Sequence, residues 1–159
     1  MSHEKIDSTL NQVTIFSSKP RSFDPEILVV ACYLEFQQNL LLLKRSPGKV
    51  EGERWGVPAG KLEKGEEPLQ AIIRETYEET GVLLSDESVH FLKEVYIRKP
   101  QVDYSYCMFY VRLKEYPKII LNHEHTEYQW ININKVQDLP LMTGALEVLS
   151  YFKQIIDHE

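Results

Sequence analysis

The sequence predicts an α/β fold in which two helices cover the two faces of one sheet. Apolar residues recur at helical spacing in two segments, residues 69–80 and residues 145–156. Strand-like runs lie before and between these segments, and residues 27–36 are apolar almost throughout. A continuous apolar strand is typical of a sheet that is buried on both faces. A helix–sheet–helix sandwich follows from these three observations.

The other elements are predicted in order along the chain. Residues 1–12 are polar and are expected to be frayed, so the single domain is expected to span residues 13–159. Alternating or apolar runs predict strands at residues 13–16, 27–36, 40–44, 89–97, 104–113 and 128–133. The breaker-rich stretches predict a turn at residues 37–39 and loops at residues 46–54 and 99–103. Thr143 is the expected N-cap of the second helix.

Composition excludes several classes of partner. The net charge of −6 argues against a surface that binds polymeric nucleic acid. No apolar run approaches the 18 residues of a membrane span, and the N-terminal residues lack the apolar core of a signal peptide. Cys32 and Cys107 each lie in an apolar strand, which is typical of buried free thiols in a reducing compartment. A cytoplasmic protein without a membrane partner is therefore expected.

Three glutamates form a dense carboxylate cluster on the first predicted helix. At 100° per residue, Glu75, Glu78 and Glu79 share an arc of roughly 100°. Like charges at these spacings destabilise an isolated helix by roughly 0.2–0.5 kcal/mol per pair. A hard divalent cation with oxygen ligands, Mg²⁺ or Mn²⁺, would offset that repulsion. The alternative is a solvated acidic face without a ligand.

The carboxylates belong to a longer pattern of fixed spacing. Its specified positions are Gly60, Glu66, Arg74, Glu75, Glu78, Glu79, Gly81 and the aliphatic Val82. Residues 60–82, called the box below, resemble the signature box of the Nudix hydrolases across its full length. One position departs from that pattern, because Thr76 stands where a larger aliphatic residue is usual. The resemblance implies a Nudix-type α/β/α sandwich with a mixed sheet between the box helix and the C-terminal helix.

The resemblance also implies roles for the box residues. One to three Mg²⁺ ions, with Mn²⁺ as an alternative, would be bound by the carbonyl group of Gly60 and by Glu75, Glu78 and Glu79. Glu66 and Arg74 would brace the loop of the box against its helix. The general base would be Glu75 or a carboxylate outside the box. Gly81 is expected to end the helix, and Pro68 suits its first turn.

A second segment supplies a candidate carboxylate outside the box. Residues 124–130 resemble the pattern Glu-His-x-x-Tyr-x-Trp of dihydroneopterin triphosphate and dinucleotide pyrophosphatases. Glu124 is the preferred additional ligand or base, and Glu127 is the second choice. His123 and His125 are expected to be surface or hydrogen-bonding groups, because the box favours oxygen-bound metals over a zinc site.

Four residues are candidate substrate contacts. Arg54 and Trp55 lie in the segment that approaches the box, where family members contact substrate, although a structural anchor is an equal alternative for Trp55. Tyr104 and Tyr106 would stack on a base, with core packing as the alternative. The partner expected from the resemblance is a small nucleotide, bound by a monomer or a homodimer.

The function expected from the resemblance is Mg²⁺-dependent hydrolysis of a diphosphate bond in a nucleoside diphosphate linked to another group. The substrate stays open among nucleoside triphosphates, dinucleotide polyphosphates, ADP-ribose and nucleotide sugars. Residues 58–61 resemble ADP-ribose and nucleotide-sugar members, whereas residues 124–130 indicate dihydroneopterin triphosphate or dinucleotide polyphosphates. Two alternatives use the same fold. A non-catalytic nucleotide sensor is disfavoured by the intact acidic positions, and an isopentenyl diphosphate isomerase is disfavoured because both cysteines lie in strands.

Overall fold

Eight strands form one sheet between two helices in the computed structural model, which describes residues 13–157. The strands are β1 Thr14–Phe16, β2 Ile27–Phe36, β3 Asn39–Arg45, β4 Trp55–Gly56, β5 Ala59–Lys61, β6 His90–Lys99, β7 Val102–Arg112 and β8 His125–Asn132. The helices are α1 Pro68–Thr80 and α2 Ala145–Asp157, and two short 3-10 helices cover Asp86–Ser88 and Val136–Asp138. The frayed segment predicted at residues 1–12 lies outside the described residues.

The sheet is mixed. Its strand order is β1-β6-β7-β2-β3-β4, while β5 pairs with β2 and β8 pairs with β3. The central pair β2 and β7 is parallel, and every other pair is antiparallel. Central strands have neighbours on both sides and helices on both faces, which accounts for the apolar run of β2.

Alternate residues of β2 belong to two cores on opposite faces of the sheet. Val30, Cys32 and Leu34 pack on the face of α1 with a core of aliphatic side chains. Ala31 and Tyr33 pack on the face of α2. Both cysteines are buried free thiols. The predicted helix–sheet–helix sandwich is confirmed, with α1 and α2 on opposite faces.

The structure corrects the limits of several predicted elements. The loop predicted at residues 99–103 is shorter, because β6 runs to Lys99 and β7 begins at Val102. Arg98 and Asp103, at the predicted loop, form an ion pair of 2.9 Å across the two strands and extend the ladder. The last strand begins at His125, three residues before the predicted start. The short strands β4 and β5 were not predicted, because they exist only through pairing with distant β3 and β2.

Both ends of α1 agree with the sequence. Pro68 occupies the first turn, and the backbone N–H of Glu67 donates to the Gln70 side chain at 3.0 Å. Gly81 follows the last residue with a left-handed φ of 75°, and its N–H donates to the carbonyl of Tyr77. The box therefore folds as a loop and a helix of 13 residues.

The start of α2 differs from its prediction. Thr143 is not its N-cap, because α2 begins at Ala145. The hydroxyl and the backbone N–H of Thr143 both donate to the Glu51 carboxylate. Gly144 instead precedes the helix, and its carbonyl accepts the N–H of Val148. The loop at residues 46–54 thus reaches across to the start of α2. Neither helix among residues 13–157 is long and apolar enough to cross a membrane.

Candidate metal site and adjoining cavity

Gly60 allows β5 to lie directly against the carboxyl group of Glu75. β5 pairs with β2 through Gly60 and Val30, and α1 crosses behind it. A methyl group at residue 60 would overlap the Glu75 carboxyl group. The absence of a side chain at Gly60 is therefore what brings the strand and the carboxylate together.

Arg74 connects the loop of the box to its helix. Its Nε and Nη2 atoms donate to the two carboxylate oxygens of Glu66 at 2.7 and 3.0 Å. Nη2 also donates to the carbonyl of Lys61 at 3.2 Å. Nη1 donates to Glu75 at 2.8 Å and to Glu78 at 3.2 Å. Arg74 thus joins Lys61 and Glu66 of the loop to its own helix, and it also offsets charge among the helix carboxylates.

Replacement of Glu66 by glutamine is expected to lower stability at neutral pH. The Arg74 guanidinium and the Glu63 N–H hold the pKa of Glu66 at about 2, below its usual range. Because a depressed folded pKa stabilises the fold above the unfolded pKa, this stabilisation is lost as pH falls towards 2. Melting temperatures are measured from pH 7 to pH 2. Wild type should melt at a higher temperature than Glu66→Gln at pH 7, and the two melting temperatures should converge below pH 4.5. A constant difference at every pH would contradict this origin.

The three helix carboxylates have different surroundings. Glu78 is exposed, whereas Glu79 is 2% exposed. Burial and the neighbouring carboxylates of Glu75 and Glu124 raise the pKa of Glu79 well above its usual range. Burial also raises the pKa of Glu75, although Arg74 opposes that effect. Oε2 of Glu79 has no hydrogen-bond partner among the described residues.

Glu124 and His125 bring further donor atoms to Glu79. Each of these three residues offers one ligand atom, and the three atoms lie within 4.8 Å of one another. Burial and the charge of Arg45 lower the pKa of His125 to about 4, so its imidazole is neutral at neutral pH. Glu127, the second choice, lies outside this cluster and pairs with Lys44 at 2.9 Å. Glu124, before β8, thus lies close to Glu79 of the box, whereas Glu127, within β8, does not belong to this cluster.

His125 is a feature that the sequence interpretation missed. It was expected at the surface or in a hydrogen bond, but it is 7% exposed and its Nδ1 has no hydrogen-bond partner among the described residues. His123, two residues earlier, is exposed as expected. The sequence signal for this difference is absent, because both histidines stand in the same polar stretch.

The donor set fits a divalent cation. A buried carboxylate oxygen without a partner is unfavourable, since burial of an unpaired charge has a high free energy. A cation among Glu75, Glu79 and Glu124 would supply the missing partner and offset their mutual repulsion. Carboxylate and carbonyl oxygens are the ligands that Mg²⁺ and Mn²⁺ prefer.

A cavity of about 590 Å³ lies on the other side of β5. Ala59 and Lys61 line it, whereas Gly60 between them faces Glu75. This alternation makes β5 a wall shared by the cavity and the carboxylate site. Most of the lining is apolar, and it includes Tyr33, Val57, Tyr104, Tyr106, Leu141 and Met142.

The predicted substrate contacts divide between the cavity and its surroundings. Tyr104 and Tyr106 line the cavity, and the hydroxyl of Tyr106 lies 3.3 Å from that of Tyr33. Trp55 is buried. Its backbone N–H donates a hydrogen bond to the carbonyl of Pro140, and its carbonyl accepts one from the N–H of Met142. Arg54 is exposed and donates to the carbonyl of Leu141 at 3.2 Å. Tyr33, which was not predicted as a contact, also lines the cavity, because its side chain extends from β2 towards α2.

Known proteins share this architecture. The chain is 27% identical to the uncharacterized Nudix hydrolase YvcI of Bacillus subtilis over 125 residues, 77% of each chain. It is 30% identical over 104 residues to the mouse asymmetrical bis(5'-nucleosyl)-tetraphosphatase, covering 64% of this chain and 69% of that protein. The crystal structure of a MutT protein from Methanosarcina mazei superposes with a TM-score of 0.70 at 22% identity, covering 85% of this chain and 96% of that one.

A family model ties these similarities to the box and its surroundings. The model, described as the NUDIX domain, matches residues 25–152, which include the whole box, Glu124 and most of α2. The match covers well over half of the chain, and the fold and the acidic positions agree with it. The chain therefore belongs to the Nudix hydrolase family and is a hydrolase of the pyrophosphatase type.

Proposed function

We propose that the protein is a Mg²⁺-dependent pyrophosphohydrolase, with Mn²⁺ as an alternative cofactor. Its substrate class is a nucleoside diphosphate linked to another group: a nucleoside triphosphate, a dinucleotide polyphosphate, ADP-ribose or a nucleotide sugar. The observation that carries the proposal is the buried Oε2 of Glu79, which has no hydrogen-bond partner within residues 13–157 and lies among two further carboxylates. The proposal is supported by the mouse relative, which is named for a dinucleotide tetraphosphate, a member of this substrate class.

The metal ligands we propose are the carbonyl group of Gly60 and the carboxylates of Glu75, Glu78, Glu79 and Glu124. A bound cation would neutralise phosphate charge and make a water molecule more acidic. Arg74 already engages the Glu75 carboxylate in a hydrogen bond of 2.8 Å. Glu124, half-buried directly before β8 and with a ligand atom within 4.8 Å of one of Glu79, is the proposed acceptor of the water proton.

The cavity is the proposed site of the nucleoside. Its apolar walls and the rings of Tyr104 and Tyr106 suit a flat aromatic base. Lys61 stands on the shared wall, where its ammonium group would meet phosphates that run from the cavity to the carboxylates. Arg54 and Trp55 stay predictions as substrate contacts, and Trp55 would act by anchoring β4. We also propose a cytoplasmic location and a monomer or homodimer.

A phosphate-release screen with Mg²⁺ tests the proposal. The panel holds nucleoside triphosphates, dinucleotide polyphosphates, ADP-ribose, nucleotide sugars and dihydroneopterin triphosphate. Inorganic pyrophosphatase is added where the product is pyrophosphate, and a phosphatase where the products are monoesters and the substrate itself resists it. Wild type is compared with Glu79→Gln and with Glu87→Gln, a control at an exposed position. Turnover by wild type and the control, but not by Glu79→Gln, supports the proposal. No turnover of any substrate, together with tight nucleotide binding, would contradict it and favour a sensor.

A further inference from the structure

A β-bulge turns His125 towards the carboxylate site. In the pairing of β3 with β8, Lys44 lies opposite Glu127 and Arg45 lies opposite His125, so Thr126 has no partner. In a regular strand His125 and Glu127 would point to the same face, because side chains alternate with period two. Here Glu127 is exposed and contacts Lys44, whereas His125 is buried beside Glu79. Bulges are known to re-aim side chains in this way near active sites.

The buried imidazole of His125 lacks the contacts expected of a structural histidine. Nε2 lies 3.7 Å from Oε1 of Glu79, which is too far for a hydrogen bond. Nδ1 has no hydrogen-bond partner among residues 13–157. A buried polar group without a hydrogen-bond partner destabilises the fold, so packing alone does not account for a histidine here. No hydrogen bond to Glu79 fixes the ring, and a ring nitrogen is free to bind a ligand.

The spacing of the donor atoms suits coordination of one ion. In an octahedral site with metal–ligand distances near 2.1 Å, neighbouring donors lie about 3.0 Å apart and opposite donors about 4.2 Å apart. Donor atoms of Glu79, Glu124 and His125 lie within 4.8 Å of one another, so small side-chain rotations bring them to such positions. Oε2 of Glu79 has no hydrogen-bond partner in the described part of the chain, and its side chain is almost fully buried, which independently indicates a missing ligand.

We propose that His125 supplies a nitrogen ligand, so that Glu79, Glu124 and His125 form a mixed nitrogen–oxygen site that favours Mn²⁺ over Mg²⁺. This inference rests on the proposed metal-dependent function but adds a ligand outside the box. Imidazole is a good ligand for transition-metal ions, whereas Mg²⁺ is bound mainly by oxygen and keeps its water. Loss of the imidazole therefore weakens Mn²⁺ binding more than Mg²⁺ binding.

Metal titrations of the protein alone test this selectivity. Mn²⁺ binding is measured from the loss of the free-ion electron paramagnetic resonance signal, and Mg²⁺ binding from its competition with Mn²⁺. His125→Gln should weaken Mn²⁺ binding about 10–100-fold and Mg²⁺ binding by less than about threefold. His123→Gln, at an exposed position two residues away, should leave both affinities unchanged. An unchanged ratio of Mn²⁺ to Mg²⁺ affinity in His125→Gln would overturn the proposal.

A spectroscopic measurement on wild type keeps the test independent of how the variant folds. Electron spin-echo modulation of the Mn²⁺-loaded protein should show a ¹⁴N coupling from a coordinated imidazole, which persists in His123→Gln. Mn²⁺ bound without ¹⁴N coupling, in a protein that still hydrolyses a nucleotide with Mg²⁺, overturns the His125 ligand alone. Failure of wild type to bind either ion overturns the proposed function as well.

Discussion

Glu79→Gln is expected to abolish most of the hydrolytic activity without unfolding the protein. Glu79 is the most buried carboxylate of the box, and its Oε2 lacks a partner among the described residues. Metal coordination contributes several kcal/mol to transition-state stabilisation, and about 1.4 kcal/mol corresponds to a tenfold change in rate. The expected loss of kcat is therefore on the order of 10²–10⁴-fold. Steady-state kinetics with saturating Mg²⁺ measure it, with Glu87→Gln as the control.

The same variant is expected to melt at a higher temperature than wild type when metal is removed. The folded pKa of Glu79 is raised by burial and by Glu75 and Glu124, so the folded state binds its proton more tightly than the unfolded state. Metal-free wild type therefore loses stability as pH rises from the unfolded pKa through the folded pKa. A neutral glutamine does not titrate, so the variant does not lose stability in this way. The difference in melting temperature between the two proteins should therefore increase with pH. A lower melting temperature for Glu79→Gln at pH 7 would instead assign Glu79 a structural role.

The box was predictable because its information is local. Pro68 and Gly81 mark the ends of α1 through their own backbone preferences, and three or four residues of spacing place Glu75, Glu78 and Glu79 on one side of a helix. The burial of β2 on both faces was predictable for the same reason, since a continuous apolar run is visible within the strand itself. The parallel pairing of β2 with β7 was not, because the two strands are more than 60 residues apart.

Features that depend on distant pairing escaped the sequence. The burial of His125 follows from a bulge whose register is set by β3, about 80 residues earlier in the chain. Thr143 is a residue type that is common at N-caps. In the structure, however, its N–H and its hydroxyl donate to the carboxylate of Glu51, which lies in a distant loop. The same limit applies to Glu79. A helical wheel predicts the direction of its side chain, but not how completely residues from other elements bury it. The cavity is lined by residues of six strands and of the start of α2, so it is a property of the assembled sheet.

Gly60→Ala is expected to reduce activity through Glu75 while leaving the fold intact. The added methyl group would overlap the Glu75 carboxyl group, which is the flexible end of its side chain and can rotate away. Displacement of a ligand or catalytic group by about 1 Å costs on the order of 10²-fold in rate. We therefore expect kcat to fall about 100-fold and metal affinity to fall with it, with a melting temperature close to that of wild type. Kinetics, metal titration and thermal melts measure the three quantities.

A double-mutant cycle identifies Glu75 as the cause. In a Glu75→Ala background the overlapping carboxyl group is absent, so Gly60→Ala should cost little further activity, and the two substitutions should be strongly non-additive. Gly48→Ala is the matched control, because no atom lies within 4 Å of the added methyl group in its exposed loop. Additive losses would show that the methyl group acts elsewhere, for example on the β5–β2 ladder. Non-additivity would establish that a missing side chain on β5 is what allows a carboxylate of α1 to take its working position.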